Sequence, residues 1–414
     1  MTKDFWTRFP GREELLAWYA KNGKGTVVSV NAHLHTPYSF SAFTDIPQAL
    51  DMGVTEKVFV MGINDFYSTD GYAEWAAESA SRKIFPLFNI EYISLNRADQ
   101  LAGLKVNDPG NPGRTYLSGK GLAFPPKMDE PYASALASVR TESNKHVAGM
   151  CKKVNELLFA IGAGFSLDFE EIRADMTKGM VRERHLAKAL REKIEKHFVA
   201  EEAKQSFYQI LFSGKPLTSS LEAPAAIENE IRNNLLKAGG AAFIPEPVEA
   251  FLESEMVCKM IRNQGGIPTY PFLADDNNGN FTPFEAPMEK AAAILKERNI
   301  WSVELITTRN SLAVLEKYVS YFYQEGFVVT LGSEHNTPAM EPIELFARKK
   351  TELSPLVKEI NYKGGCVVAA HQFLVAKEGR GYLDAEGLPY LQDRDQFVTL
   401  GGAVIEFLIQ ENHG

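Results

Sequence analysis

Residues 25–39 have the sequence GTVVSVNAHLHTPYS, in which a run rich in β-branched residues leads directly into His33 and His35. Such a run predicts a β-strand that ends inside a functional site. Because successive side chains of a strand point to opposite faces, residues two apart share a face, and both imidazoles could reach one metal ion. The alternative is two polar residues in a loop after an edge strand. The rest of the sequence has to discriminate between the two.

The composition is that of a globular protein. The chain has 414 residues, of which 45% are hydrophobic, and its formal net charge is −9. That length suggests one enlarged domain or two ordinary ones. The negative charge argues against binding of extended nucleic acid, because proteins that bind it usually carry a basic excess. Any phosphate site must therefore be local.

The cysteines and the N-terminal sequence bear on the cellular compartment. Cys151, Cys258 and Cys366 are odd in number, widely spaced and close to apolar runs, which favours core thiols over a disulfide framework. The N-terminus has no apolar signal segment, and no run reaches the roughly 18 apolar residues of a membrane span. We expect a cytoplasmic protein that does not bind membranes.

Strand and helix signals alternate along both ends of the chain. Seven short apolar runs predict strands that end at or near polar residues: His35, Asp65, Glu91, Tyr270, Glu304, Glu334 and His371. Helices are predicted after most of these strands, with a closing helix at residues 396–410. Repeated βα units predict an α/β fold with a parallel sheet, and seven units favour a closed TIM-like barrel. The functional site is then expected at the C-terminal ends of the strands.

The middle of the chain interrupts this alternation. From about residue 95 the sequence is rich in glycine and proline, and residues 133–237 show helical patterns without strand signals. We therefore expect a first barrel segment at residues 1–95, a mainly helical insertion at 96–245 and a second barrel segment at 246–414. Arg182, Arg184 and His185 open one predicted helix, and they are either a solvated face or a local phosphate contact.

Six short segments together resemble the polymerase and histidinol phosphatase (PHP) domain family. Residues 33–39, HLHTPYS, match its first motif, H-x-H-T-x-x-S, while residues 63–66, INDF, and 89–91, NIE, resemble its T-D-H and G-x-E motifs. Three later segments are similar to further motifs: GGIPTYP at 265–271, VTLGSEHN at 329–336 and RHLAKAL at 184–190. The resemblance covers most of the chain. It implies a distorted (β/α)7 TIM-like barrel of the PHP type with up to three metal ions.

Departures from the family motifs imply fewer ions. In the family one metal site is formed by four positions that here hold His33, His35, Glu91 and Glu334. The other two sites depend on histidines that here are Phe66, Tyr270 and Asn336. We therefore expect about one divalent transition metal ion per chain, which could be Zn, Mn or Fe. Asp65 is expected beside this ion, as a group that orients His33 or His35.

The resemblance implies a metal-dependent phosphoesterase that hydrolyses a small phosphorylated metabolite or nucleotide with metal-activated water. With fewer metals, leaving-group protonation or charge neutralisation would fall to His371, His335, Arg184 or Arg140. One alternative is a catalytically degenerate relative that binds a ligand or regulates a partner. The other is an amidohydrolase-type C–N hydrolase, which is disfavoured because that class needs further histidines on its middle strands.

Overall fold

The computed structural model describes residues 5–276 and 278–410, and its centre is a curved β-sheet. Eight strands of the described chain form this sheet: β1 (Ser29–Leu34), β2 (Val58–Phe66), β3 (Phe85–Leu95), β4 (Arg114–Lys120), β5 (Leu252–Glu253), β6 (Ile267–Phe272), β7 (Ser302–Ile306) and β8 (Val328–Gly332). The short strands β9 (Phe346–Ala347) and β10 (Thr351–Glu352) pair with each other outside it.

The strand order is that of a nearly closed barrel. The order is β1-β2-β3-β4-β6-β7-β8, and the short β5 pairs with β3. All neighbours are parallel except β4, which is antiparallel to both β3 and β6. A parallel bridge between Leu34 and Glu334 brings β1 back to β8. The predicted α/β TIM-like barrel is therefore confirmed.

Helices surround the barrel on the outside and extend away from it in the middle of the chain. Within the described residues they are α1 (Arg12–Asn22), α2 (Ile46–Thr55), α3 (Tyr72–Ser81), α4 (Arg97–Leu101), α5 (Tyr132–Ala160), α6 (Phe169–Met176), α7 (Glu183–His197), α8 (Glu201–Leu211), α9 (Pro224–Ile231), α10 (Ser254–Asn263), α11 (Met288–Glu297), α12 (Leu312–Gln324), α13 (Pro355–Glu378) and α14 (Arg394–Gln410). The predicted closing helix corresponds to α14. Across the described ranges, no helix combines the length and apolar character that crossing a bilayer requires.

Helix α13 completes the seam between β1 and β8. The Asn361 side chain accepts a hydrogen bond from the backbone N–H of Leu331 and donates one to the carbonyl of Val30, at 2.8 and 2.9 Å. One amide thus satisfies a backbone group on each strand where the direct ladder is missing. Gly364 makes this approach possible, because a Cβ there would collide with the carbonyl of Val329.

Two predictions about secondary structure are wrong. Residues 366–371, predicted as the seventh strand, lie in the middle of α13, where the run Cys366 to Ala370 is buried on all sides. A short apolar run without period does not distinguish a buried strand from a buried helix. Residues 96–245 were expected to contribute no strand to the barrel, yet they contain β4, a central strand.

The helices α5 to α9 have an apolar core of their own. Leu158, Leu190 and Ile194 belong to a buried cluster that is separate from the barrel core. This agrees with helical patterns in the sequence, although the three-segment division of the chain stays a prediction. The three cysteines are buried free thiols, as predicted.

Candidate metal centre

Three buried side chains converge at the mouth of the barrel, where β1 and β2 end and Glu91 of β3 pairs with Phe66, the last residue of β2. His33 Nε2 lies 3.2 Å from His35 Nε2, and Glu91 Oε2 lies 3.1 Å from His35 Nε2 and 3.7 Å from His33 Nε2. Two ligand atoms bonded to one ion at about 2.1 Å are separated by about 3.0–3.4 Å in octahedral or tetrahedral geometry. His33, His35 and Glu91 therefore have the spacing of one metal-binding group.

Hydrogen bonds on the far side of each ring fix the orientation of the histidines. His33 Nδ1 lies 3.1 Å from Glu304 Oε2. His35 Nδ1 lies 3.2 Å from Ser39 Oγ, whose own proton goes to Asp65 Oδ1 at 2.6 Å, so Ser39 accepts from His35. With the proton of each ring on Nδ1, both Nε2 lone pairs would face Glu91. This is the arrangement that histidine ligands of metals commonly have.

The residues present fit a bound cation. Glu91 Oε2 is buried and has no hydrogen-bond donor among the described residues. Burial raises the pKa of Glu91 to about 8, although the nearby His33 opposes the shift. Two nitrogen lone pairs and a carboxylate oxygen within 3.7 Å of one another repel unless a positive charge lies between them. A divalent ion would satisfy all three atoms at once.

Glu334, the fourth predicted ligand, lies beside this group and not within it. Its Oε2 accepts a hydrogen bond from Arg309 at 2.6 Å. Burial alone would raise the pKa of Glu334, but Arg309 and the two histidines hold it below its usual value. Glu334 and His335 both have left-handed backbone angles, with φ of 66° and 60°. Such angles cost about 1 kcal/mol or more per residue and are found at functional turns.

Two more of the predicted residues are close to the group without joining it. Asp65 accepts hydrogen bonds from the backbone and hydroxyl of Thr36 and from Ser39, so it supports His35 through Ser39. His335 contacts Ser333 Oγ through Nδ1 and the carbonyl of Glu341 through Nε2. Both of its ring nitrogens are therefore already occupied.

The structure does not bring His371 or Arg140 to the group. His371 lies on α13, where Nε2 donates to the carbonyl of Gly265 and Nδ1 accepts from the N–H of Tyr382. Gly265 precedes β6, so this histidine lies at the opposite end of the barrel. Arg140 is on α5 and pairs with Asp70 at 2.8 Å. Arg184, the remaining candidate, does line the cavity described below.

A buried polar network below His33 was not predicted from the sequence. The ammonium group of Lys120 lies 2.6 Å from Glu304 Oε2, and Glu304 Oε1 accepts from Ser118 Oγ at 2.6 Å. Asn64 Nδ2 lies 3.1 Å from each ring nitrogen of His33. The available signal was the alternation of Tyr116, Ser118 and Lys120, which predicts a strand with one polar face. Glycines and prolines around this segment concealed it.

A cavity of about 420 Å³ opens above the group, with Glu91 in its wall. Its lining includes four arginines: Arg182, Arg184, Arg232 and Arg309. The first three come from the α7 and α9 region of the helical segment. Phe66 connects this wall to the metal-binding group, since its ring stacks on His35 at 4.9 Å and lies under the Arg182 guanidinium, also at 4.9 Å.

Two of these arginines form no salt bridge with a described residue, although carboxylates such as Glu183 lie near both. Arg232 pairs with Glu183, and Arg309 pairs with Glu334, both at 2.6 Å. Within the described ranges, no carboxylate lies at ion-pair distance from the guanidinium of Arg182 or Arg184. Arg184 is bonded only to the amide oxygen of Asn229, and burial, aided by Arg232, lowers its pKa to about 10. The lining as a whole holds four arginines and four carboxylates, Glu91, Asp108, Glu183 and Glu334, but the guanidinium groups of Arg182 and Arg184 remain without a salt bridge.

Comparisons with known proteins bear on the fold. No family model and no curated protein matches the chain. Among solved structures, an amidohydrolase from Chromobacterium violaceum, with bound sulfate and no metal, is 16% identical with a TM-score of 0.52, and the match covers 79% of this chain and 93% of that one. A protein of Bifidobacterium adolescentis assigned as a metal-dependent phosphoesterase is 14% identical with a TM-score of 0.51, and the match covers 81% and 96%. The chain thus shares the fold of these two proteins.

Proposed function

We propose that the protein is a metal-dependent phosphoesterase of the PHP type that acts on a small phosphorylated compound. The observation that carries this proposal is the cluster of four arginines in the same cavity as Glu91, two of which, Arg182 and Arg184, form no salt bridge with a described residue. Cations that have no carboxylate partner attract an anionic ligand. A group of two histidines and one glutamate at the same cavity wall supplies a place for a hydrolytic metal.

A divalent ion of Zn, Mn or Fe held by His33, His35 and Glu91 would supply Lewis acidity and lower the pKa of a water molecule. The arginines would bind and orient the phosphoryl group, because the planar guanidinium matches two phosphate oxygens at once. Of the four residues considered for the leaving group, only Arg184 lines the cavity. Its contribution would be charge neutralisation and not proton donation, since arginine stays protonated.

The cavity volume agrees with a small substrate. About 420 Å³ lies within the range of roughly 300–1,000 Å³ that is usual for small-molecule sites. A phosphorylated metabolite or a mononucleotide is of suitable size, whereas a nucleic acid duplex is not. A small phosphorylated partner and a cytoplasmic location are part of this proposal.

The test is phosphate release by protein stripped of metal and then supplied with Mn²⁺, Zn²⁺ or Fe²⁺. Nucleoside monophosphates and sugar phosphates are assayed by the phosphate released, and bis(4-nitrophenyl) phosphate is assayed by the 4-nitrophenolate released. We expect metal-dependent turnover, and we expect Arg182→Met and Arg184→Met each to lower kcat/KM by roughly 10- to 100-fold, the loss of a charged hydrogen bond. Arg140→Met is the matched control, because it removes the same charge outside the cavity, and it should leave kcat/KM unchanged.

The non-catalytic alternative makes a different prediction in the same experiment. A ligand-binding relative would bind these phosphates in equilibrium dialysis, lose that binding in Arg182→Met, and release no phosphate with any of the metals. The C–N hydrolase alternative has no comparable observation in its favour, since a neutral amide does not need two free guanidinium groups. Turnover that is equal in native protein, Arg182→Met and Arg184→Met would contradict the proposed phosphate contacts.

A further inference from the structure

The side chain of Lys120 lies wholly inside the barrel, although it carries a charge. It is 0% exposed, as is Glu304. Strand β4 runs opposite to its neighbours, so its last residue, Lys120, pairs with Ile267, the first residue of β6. The Lys120 side chain therefore starts near the N-terminal ends of the parallel strands and extends inside the barrel towards the mouth, where the metal-binding group lies.

Oxygen atoms surround the ammonium group. Its Nζ lies 2.6 Å from Glu304 Oε2 and donates to the carbonyl of Ala32 at 3.1 Å and to Asn64 Oδ1 at 3.2 Å. Three acceptors match the three N–H donors of a lysine. One carboxylate, one amide oxygen and one backbone carbonyl also form the kind of donor set that binds hard metal cations. The ammonium group of Lys120 thus occupies an oxygen-lined position of the kind that could hold a metal cation.

Glu304 connects this position to the metal-binding group. Its Oε2 contacts both Lys120 Nζ and His33 Nδ1, while Oε1 is held by Ser118. Without the lysine, the carboxylate would be a buried anion that has lost the cation 2.6 Å from its Oε2. With it, Glu304 is held by contacts on both oxygens, and His33 has one favourable orientation, with Nε2 towards His35 and Glu91.

We propose that Lys120 is a positioning residue: its ammonium group occupies the oxygen-lined cation position in the barrel and, through Glu304, directs His33 Nε2 into the metal-binding group. The inference rests on the metal centre of the proposed function and is independent of the phosphoester reaction. It accounts for a buried lysine beside a metal-binding group that contains three of the four predicted ligands.

The first test uses native protein without metal. Nitrogen-15 NMR of the labelled histidines reports which ring nitrogen of His33 carries the proton. We expect an Nδ1–H tautomer, and His33→Gln assigns the signal by its loss. An Nε2–H tautomer in the folded protein would overturn the proposal, whatever the behaviour of any variant.

The second test measures metal affinity by competition with a chelating dye. We expect Lys120→Met to weaken the affinity by about 10- to 100-fold, the usual effect of losing a group that supports a ligand. Gln372→Met is the matched control, because Gln372 is equally buried but bonds Pro86 and Phe88 at the other end of β3. It should leave the affinity within twofold. An affinity within twofold of native for Lys120→Met as well would overturn the proposal.

A double variant separates positioning from general damage and covers the case in which Lys120→Met does not fold. Lys120→Met combined with Glu304→Gln removes both charges and leaves an amide oxygen that can still accept from His33. If Lys120 acts through Glu304, the double variant should bind metal as well as Glu304→Gln alone. Independent losses that multiply in the double variant would contradict the relay. None of these measurements depends on turnover, so they succeed or fail separately from the phosphoesterase proposal.

Discussion

Replacing Glu91 by Gln should stabilise the metal-free protein while removing its response to metal. The carboxylate is buried, and burial raises its pKa from 4.5 to about 8. At pH 7 the unfolded chain has this group ionised, whereas the folded chain has it largely protonated. Each pKa unit corresponds to about 1.36 kcal/mol, so folding at pH 7 costs about 3 kcal/mol at this one residue. Glutamine keeps the shape and carries no such cost.

The sign of the effect gives a distinctive pH profile. Because the folded pKa is higher than the unfolded one, the folded state holds more protons between pH 4.5 and 8, and the stability of the native metal-free protein falls as the pH rises through that window. Glu91→Gln lacks this dependence. The two proteins should have similar stability near pH 4.5 and differ increasingly up to about pH 8.

The assay is urea unfolding of both proteins at several pH values, with and without added Zn²⁺ or Mn²⁺. Metal at about 100 times its Kd should stabilise the native protein by about 2.7 kcal/mol and the variant by much less. Glu14→Gln, an exposed position on α1, is the control and should change stability by no more than about 0.5 kcal/mol. Parallel pH profiles for native protein and Glu91→Gln, or equal stabilisation by metal, would refute the assignment of Glu91 to the metal-binding group.

Three further predictions test the fold and the limits of the site. Asn361→Leu should destabilise the protein by about 2–4 kcal/mol in urea unfolding, because it leaves one buried backbone group on β1 and one on β8 without a partner. His335→Gln should keep the native metal content in elemental analysis and His35→Gln should lose it, since only His35 has a free nitrogen facing Glu91. The three cysteines should not react with a thiol reagent in folded protein, because burial raises their pKa to about 11 or 12, and all three should react in urea.

Much of the barrel could be predicted from local sequence because six strands are short, apolar and followed by a polar residue. The H-x-H pair was informative for a geometric reason: residues two apart on β1 share a face, so His33 and His35 meet. Glu91 joined them because β1, β2 and β3 are parallel neighbours whose ends share one edge. These inferences needed only the direction of each strand and the alternation of its side chains between the two faces of the sheet.

The same alternation of side chains explains why the sequence was misleading for Tyr270. Tyr270 was placed at the site because it lies near the end of β6, yet its hydroxyl donates to Glu285 and its ring packs on Phe272 and Phe284 outside the barrel. The inward neighbour is Thr269, which bonds Ser302, its register partner on the neighbouring strand β7. A difference of one residue exchanges the two faces of a strand, and a single sequence does not fix the register that well.

Strand β4 was missed for a different reason. Its inner face carries Ser118 and Lys120, and a strand whose inner residues are polar lacks the apolar run that identifies a buried strand. Gly119 and Gly121 added a turn-like composition. Such a strand is stabilised by the partners of its polar groups. The main partner, Glu304, is 186 positions from Ser118 in the chain. Only the folded barrel reveals that the pairs exist.

The cationic side chains Arg182 and Lys120 suggest why the sequence departs from the family motif at Phe66. Phe66 stands where the family motif has a histidine, and its ring lies between His35 and the guanidinium of Arg182. In the proposed function, the aromatic ring would support one metal ligand and one phosphate-binding cation. Lys120 likewise lies within the barrel, 2.6 Å from Glu304. If the proposed function holds, we expect the activity to follow the loading of one ion and not of two or three, because side chains would provide the remaining positive charge.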